Sequence, residues 1–410
     1  MTKCRLCSSE NLRVVLDFNK SPPSNSYIYS NSLNKTENYY PLRINLCKSC
    51  YLMQTEDFVN KNEMFNAEYS YFSSYSKTFI NHSKKYLKYI NSNLKKYFIN
   101  NEVIEIASND GYLLQFFKKD NYSCLGIEPS KSVADFAKKK GINTKVEFFG
   151  SKLAKKLKGK NKPSLIIANN VLAHVPDLND FIKGLSILSR KETIISIEFP
   201  HILNLIKFHQ FDTIYHEHYS YFSIKPLVKI FLNYGLEIFN IQNLNVHGGS
   251  LRLFLKKRIN KKIKIDKSVS HNIKLENKYN IYNLKTYSDL QNKLNSQKIN
   301  ILRFIINLKL KKKKIICYGA AAKGNTIINF SGITKDIIDF VVDKNKNKIG
   351  KYLPGSEIPI VDIKNIKKIK PDYIWILPWN LKEEIIKELS FVRKWNTKFF
   401  ITNPKIKLIS

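Results

Sequence analysis

The stretch Val103-Ile104-Glu105-Ile106-Ala107-Ser108-Asn109-Asp110-Gly111 runs from a short apolar strand into a turn, and Leu113–Lys119 continues with a helical face. Asn-Asp-Gly allows the chain to reverse tightly and lets the backbone approach a ligand. Outward from this unit the pattern repeats. Ser123–Glu128 reads as a second strand and Val133–Lys140 as its helix, and Lys145–Phe148, Leu165–Ala168 and Thr193–Phe199 read as further strands. Leu227–Tyr234 reads as the next helix, and two strands, Leu236–Gln242 and Gly249–Leu255, close the region around the turn Val246-His247-Gly248-Gly249. Strands alternating with helices predict a doubly wound, mostly parallel α/β sheet, with an antiparallel hairpin on one edge.

This core is expected over residues 66–256, with a helical lead-in carrying Phe79, His82, Ser83, Tyr86 and Ile90 at helical spacing. A small cysteine-bearing module occupies residues 1–65. Residues 257–300 are polar and rich in Lys and Asn, but Tyr282, Leu284, Leu290, Leu294 and Ile299 predict a helical connector. Residues 301–410 form a second Rossmann-like domain: strand Ile315–Tyr318, a Gly-rich turn, helix Thr326–Phe330, then strands Ile338–Asp343 and Tyr373–Leu377.

With 410 residues and 43% hydrophobic content, the chain can bury several cores. No apolar run approaches the roughly 18–20 residues that span a bilayer, and the start, Met-Thr-Lys-Cys-Arg-Leu-Cys, lacks a signal core. A cytoplasmic protein without membrane insertion is expected. The formal charge of +36 is spread along every segment, together with abundant Asn and Ile. It reads as compositional bias, with Lys138–Lys140 and Lys311–Lys314 as solvated flanks rather than a nucleic-acid footprint.

Four of the six cysteines form two Cys-x-x-Cys knuckles, Cys4/Cys7 and Cys47/Cys50, separated by 39 residues. Two knuckles supply four thiolates to one tetrahedral zinc, leaving no open position, so the site is expected to be structural. Disulfides would not persist in a reducing compartment. Cys124 and Cys317 lie in strand-like apolar contexts and read as inert.

Three strand ends line one carboxyl edge. The first carries Glu105, Ala107, Asn109, Asp110 and Gly111; the second carries Glu128-Pro129; the third carries Asn169-Asn170. A carboxylate at the second strand end can hold both ribose hydroxyls of an adenosine, and ligands of such sheets bind along this edge. The nicotinamide pattern Gly-x-Gly-x-x-Gly is absent. The three sites together point to a class I S-adenosylmethionine-dependent methyltransferase.

The densest polar cluster is Tyr215-His216-Glu217-His218-Tyr219. It lacks the spacing of a metalloprotease, and a Glu-His pair beside tyrosines suits proton abstraction. His247-Gly248-Gly249-Ser250-x-Arg252 offers donors and one cation to a phosphate or substrate. Gly319-Ala320-Ala321-Ala322-Lys323-Gly324-Asn325 opens a helix whose amides can face an anion, with Asp343 ending the next strand.

Taken in order, these motifs resemble the sugar C-methyltransferases that act on nucleotide-linked 4-keto-deoxysugars. The resemblance spans the four cysteines, Tyr69–Ser74, Glu105–Leu114, Gly126–Pro129, Asn169–Pro176, Phe211–Ser223, Val246–Arg252, Tyr318–Asn325 and Pro354–Pro359. It implies S-adenosylmethionine and zinc as cofactors and a nucleotide-linked sugar as substrate. It also implies His218 as the base with Glu217 beside it, and Tyr71, His174 and Tyr215 as groups orienting substrate or enolate. The choice of base between His218 and Tyr215 stays open. His247, Gly248, Arg252 and Lys323 would contact substrate, and His216 has no role the pattern assigns. A monomer is expected, with a dimer left open. An RNA methyltransferase would show a concentrated basic stripe with interleaved aromatics, which is missing. A non-catalytic scaffold would have no need of Glu128, Asn169 and the Glu217-His218 pair together.

Overall fold

The computed structural model describes residues 3–58, 64 and 71–409. Tyr69 and Ser70 of the Tyr69–Ser74 motif lie outside the described residues.

The central sheet has seven strands in the spatial order Thr144–Lys145, Ser123–Ile127, Glu102–Ile106, Leu165–Asn169, Ile194–Pro200, Ser250–Lys257 and Leu236–Leu244. The first five are parallel; Ser250–Lys257 runs antiparallel to Ile194–Pro200 and to Leu236–Leu244. The expected hairpin therefore sits on one edge, with its second strand inside. Apolar residues alternate between the two faces of the sheet. Ile104, Ile106, Ile166 and Ile195 join one core, and Val103, Leu165, Ile167 and Ile194 join the other. Burial on both sides explains the near-continuous runs of branched residues. Strand order reverses between Glu102–Ile106 and Leu165–Asn169, which opens a crevice at their carboxyl ends.

The C-terminal sheet repeats this logic with Ile360–Asp362, Val341–Asp343, Ile315–Tyr318, Tyr373–Ile376, Lys398–Ile401 and Lys407–Ile409, all parallel except the last. Its first helix is Ala322–Ser331, beginning four residues before the expected Thr326, so Lys323 lies in the first turn. The connector contains helices Lys267–Lys278 and Leu290–Leu310. Its Glu276 is fully buried, accepting from His201 Nε2 at 2.7 Å and from the Ile224 amide at 3.0 Å, and so ties the connector to the core.

The N-terminal module is not a detached appendage. Its antiparallel strands Leu12–Ser21, Tyr40–Cys47 and Met53–Thr55 are joined by Ser220–Tyr221 from the core. The fourth strand of this sheet is thus the continuation of the Tyr215–Tyr219 cluster. A second addition pairs Ile28–Tyr29 with Lys351–Tyr352 of the C-terminal domain. No described helix is long and apolar enough to cross a membrane.

Candidate active site

A cavity of about 330 Å³ opens at the switch point and is walled by all three parts of the chain. Ala107, Asn109, Asn170 and His247 line it with positive φ values of 55°, 50°, 53° and 54°. Left-handed backbone is uncommon outside glycine, although Asn and His adopt it more readily than most residues, and four such positions fall on this wall.

At the cofactor end, Glu128 is buried and accepts from the amides of Asn109 at 3.0 Å and Ser130 at 2.9 Å. Burial raises its carboxyl to about 7, although both amides favour the charged form. Pro129, Asn169 and Asn170 share this wall, and the Oδ1 atoms of both asparagines are buried without a hydrogen-bond partner. Unpaired buried acceptors beside a carboxylate fit a ligand rich in N–H and O–H groups, such as an adenosine bearing an amino acid. Phe148 and Phe149 add apolar surface to the wall. Sequence reading placed Phe148 at the end of a strand, but that strand stops at Lys145.

Three expected contacts differ from the sequence reading. Glu105, Asp110 and Gly111 do not line the cavity; they build the turn beneath it. Asp110 is taken up by Ser74 and by Lys140 at 3.2 Å. At Gly111, φ is +72° and a Cβ would meet Ile142 at 3.1 Å. Burial, followed by the charges of Asp110 and Glu128, pushes the Glu105 carboxyl well above its usual range. The Asn109 side chain turns the other way, accepting from the Ser73 amide at 2.9 Å and donating to the Tyr71 carbonyl at 3.0 Å. It thereby fixes the segment that carries Tyr71 to the cavity.

Tyr71, His174, Tyr215, His218, His247 and Lys323 also line the cavity. His218 Nδ1 lies 2.9 Å from the Thr213 carbonyl, and Nε2 lies 2.7 Å from the Tyr215 hydroxyl. A carbonyl can only accept, so Nδ1 carries the hydrogen and Nε2 accepts from Tyr215. Burial, then the neighbouring His174 and Lys323, hold the imidazole well below its usual pKa, hence neutral. The His174 ring packs 4.6 Å from that of His218, and burial lowers His174 to about 4. His247 Nε2 is buried without a partner, while its carbonyl accepts from Lys323 at 3.2 Å. Lys348, which carried no signal in the sequence, also lines the cavity, with its Nζ 2.7 Å from the Ala320 carbonyl.

Glu217 is not beside the His218 ring. Its carboxylate lies outside the cavity wall and accepts from Asn25 Nδ2 at 3.1 Å. His216 turns toward the N-terminal module, with Nε2 3.3 Å from the Pro41 carbonyl and Tyr40 at its ring edge. Gly248 shapes its turn against Trp379 and Gln210 and does not line the cavity. Arg252 is a clear correction: it is buried against Glu198, His82 and Gln242 and over the Tyr86 ring. Burial pushes Glu198 up, but Arg252 and His82 outweigh it and hold the carboxyl at about 2. The guanidinium is spent on that ion pair and does not reach the substrate side.

The four cysteines converge, with ligand atoms all within 4.8 Å of one another. The Cys4–Cys50 and Cys7–Cys47 sulfur separations are 3.5 and 3.6 Å. This is far beyond a disulfide of about 2.05 Å and close to the edge of a tetrahedron with zinc–sulfur bonds of about 2.3 Å. The donor set fits zinc. From the next strand, Thr55 donates to the Tyr219 carbonyl at 3.1 Å through its amide and to the His218 carbonyl at 3.2 Å through its hydroxyl.

The strand order, cavity and cofactor end define a class I S-adenosylmethionine-dependent methyltransferase. Family models match in series: a "Putative zinc binding domain" over residues 4–65, a methyltransferase domain over 79–241 and a C-methyltransferase C-terminal domain over 245–404. C-methyltransferase NovU of Streptomyces niveus is 26% identical over 409 residues, covering 100% of this chain and 97% of that one. The chain is thus similar over its whole length to a C-methyltransferase and carries the three domain types in one order. Among solved structures, magnesium protoporphyrin IX methyltransferase from Synechocystis PCC 6803 with bound SAM matches at 13% identity and a TM-score of 0.34, covering 43% of this chain and 79% of that one. A methyltransferase from Thermotoga maritima, described as a possible histamine N-methyltransferase, matches at 16% and 0.33, covering 44% and 97%.

Proposed function

We propose that the acceptor is a nucleotide-linked sugar with a carbonyl at C4, methylated on the adjacent C3 in the formation of a deoxysugar or surface polysaccharide. The observation that carries this reading is the buried, hydrogen-bonded Tyr215–His218 pair, with His218 held neutral, in the same cavity as Glu128. A carbon next to a carbonyl is acidic enough for a neutral imidazole to deprotonate when the developing enolate is held by donors.

In this reading Tyr215 shifts its hydroxyl from His218 to the C4 oxygen, which frees Nε2. His218 takes the C3 proton, the C–H electron pair becomes a C3–C4 double bond, and the carbonyl π pair moves onto the C4 oxygen. Tyr71 and His174 help hold that oxygen and the sugar ring. When bound, S-adenosylmethionine supplies an electrophilic methyl group on a sulfonium. Glu128 would hold its ribose, with Ala107, Pro129, Asn169 and Asn170 on the same cavity wall. C3 of the enolate would take that methyl, the carbon–sulfur bond breaking with its electron pair left on sulfur, as the C4 carbonyl re-forms. Lys323, in the first turn of a helix, and His247 contact the diphosphate. Alignment of the two reactants, with water excluded by the C-terminal domain, supports this role without a catalytic metal.

The experiment is incubation with S-adenosylmethionine and a panel of nucleotide-linked 4-keto sugars. Product mass should rise by one methylene, with deuterium lost from C3. Methyl transfer without loss of a carbon-bound deuteron would overturn the enolate route and point to an oxygen or nitrogen acceptor.

A further inference from the structure

The segment Ser21–Tyr29 of the N-terminal module is wedged where all three parts of the chain meet. Ser24 is bonded to the C-terminal domain through its carbonyl, which accepts from Asn325 at 3.4 Å. The Tyr27 hydroxyl donates to the Ala320 carbonyl at 2.7 Å, and Ile28–Tyr29 pairs with Lys351–Tyr352. Between these anchors, Asn25 lines the cavity and donates to Glu217 Oε1. The acidic residue of the Glu-His pair therefore stands behind Asn25 and not in the cavity. Nδ2 donates one of its two hydrogens to Glu217 Oε1, which leaves the second for another acceptor, and Asn25 itself lines the cavity.

We propose that Asn25 contacts the acceptor, donating to one of its oxygens, and that Glu217 is a positioning residue acting through Asn25. The claim rests on the acceptor reading above, and it makes the N-terminal module a specificity element of the active site. The His174 ring bonds the Glu217 backbone, and, beyond burial, the hydroxyls of Tyr27 from the module and of Tyr219 and Tyr221 from the Glu217 segment are raised in pKa by the charge of the Glu217 carboxyl. Among the described residues no salt bridge reaches it, so its main bonded partner is Asn25.

Two measurements test this. With asparagine labelled by nitrogen-15, the Asn25 side-chain amide, assigned by its loss in Asn25→Ala, should move in Glu217→Ala and largely recover in Glu217→Gln, whose carbonyl can still accept. An Asn25 amide indifferent to Glu217→Ala overturns the proposal, whatever the acceptor proves to be. On a keto sugar that is turned over, Asn25→Ala and Glu217→Ala should each lower kcat/KM by roughly 10- to 100-fold. The double variant should be no worse than Asn25→Ala, and S-adenosylhomocysteine binding should stay unchanged as the check on folding. Additive losses, or a Glu217→Gln variant as poor as Glu217→Ala, would assign Glu217 a direct acid–base role instead. If no keto sugar reacts, the acceptor class fails while the amide spectrum still decides whether Glu217 acts through Asn25.

Discussion

His218 Nε2 accepts a 2.7 Å hydrogen bond from the Tyr215 hydroxyl, and its Nδ1 is fixed on the Thr213 carbonyl at 2.9 Å. On the proposed mechanism, the lone pair that would take the carbon-bound proton is capped until substrate draws Tyr215 away. His218→Asn should lower kcat by about 10²- to 10⁴-fold, as expected for loss of a general base. Tyr215→Phe should cost roughly tenfold, because it uncaps the base while removing one donor to the enolate. Deuterium washout from C3 of the accepted sugar, compared between the two variants, separates these roles. Faster washout in His218→Asn than in Tyr215→Phe would make Tyr215 the base.

With Glu128 in its proposed role on the ribose, cofactor binding should depend on pH. Its folded pKa of about 7 lies above the usual carboxylate value, so the group is protonated below that pH and ionised above it. Two ribose hydroxyls donate best to the ionised form. S-adenosylhomocysteine should therefore bind more weakly as pH falls through 7, by up to about tenfold per pH unit. Calorimetry from pH 5.5 to 8.5 reads this, and Glu128→Gln should flatten the profile while weakening binding throughout.

The zinc module should stabilise more than itself, because Met53–Thr55 holds Ser220–Tyr221 as a strand and Thr55 bonds the His218 carbonyl. Cys47→Ser should abolish stoichiometric zinc, measured by elemental analysis, and lower the melting temperature by roughly 5 °C or more. The amide carrying His218 should lose hydrogen-exchange protection well before the central parallel strands do.

Arg252 separates a structural role from a substrate role. Arg252→Ala leaves Glu198 buried without its main cation and should cost about 3–5 kcal/mol of stability. Acceptor KM in whatever fraction folds should stay within about twofold. A stable variant with a raised KM would restore Arg252 to the substrate side.

Glu384 of the C-terminal domain caps the helix Lys77–Tyr89, accepting from the amides of Lys77 and Thr78 at 3.0 Å and from the Ser76 and Thr78 hydroxyls. Glu384→Ala should cost about 1–2 kcal/mol, the upper end for a helix cap, read in denaturant. Acceptor KM should rise because the Tyr71–Ser74 segment precedes this helix.

The features legible in the sequence were those set by neighbours along the chain. Strands such as Ile315–Tyr318 and Leu165–Asn169 announce themselves by runs of branched apolar residues. Cys-x-x-Cys holds two ligands on one knuckle, and Asn-Asp-Gly makes a turn wherever it falls. Glu128, Asn169 and His218 were recoverable because each ends or flanks such an element. The sequence could not reveal what distant neighbours do with a polar group. Arg252 reads as a free cation until Glu198, 54 residues away, takes it, and Glu217 reads as a partner of His218 until Asn25, 192 residues away, draws it aside. Lys348 sits in a stretch without any pattern of its own and Phe148 in one that reads as a strand, and both reach the cavity through tertiary packing.

The order of strands, turns and knuckles follows from local spacing, because backbone geometry converts a period of apolar residues directly into an element with a buried face. Thus the sequence alone determined a methyltransferase sheet between a zinc module and a second Rossmann-like domain. Only the tertiary structure decided which polar side chains face the cavity, because burial obliges each one to find a partner and those partners lie far along the chain. It turned Glu105, Asp110 and Gly111 from contacts into a scaffold while leaving Ala107 and Asn109 on the cavity wall, and it made a two-residue strand, Ser220–Tyr221, the joint between the zinc module and the Tyr215–His218 pair.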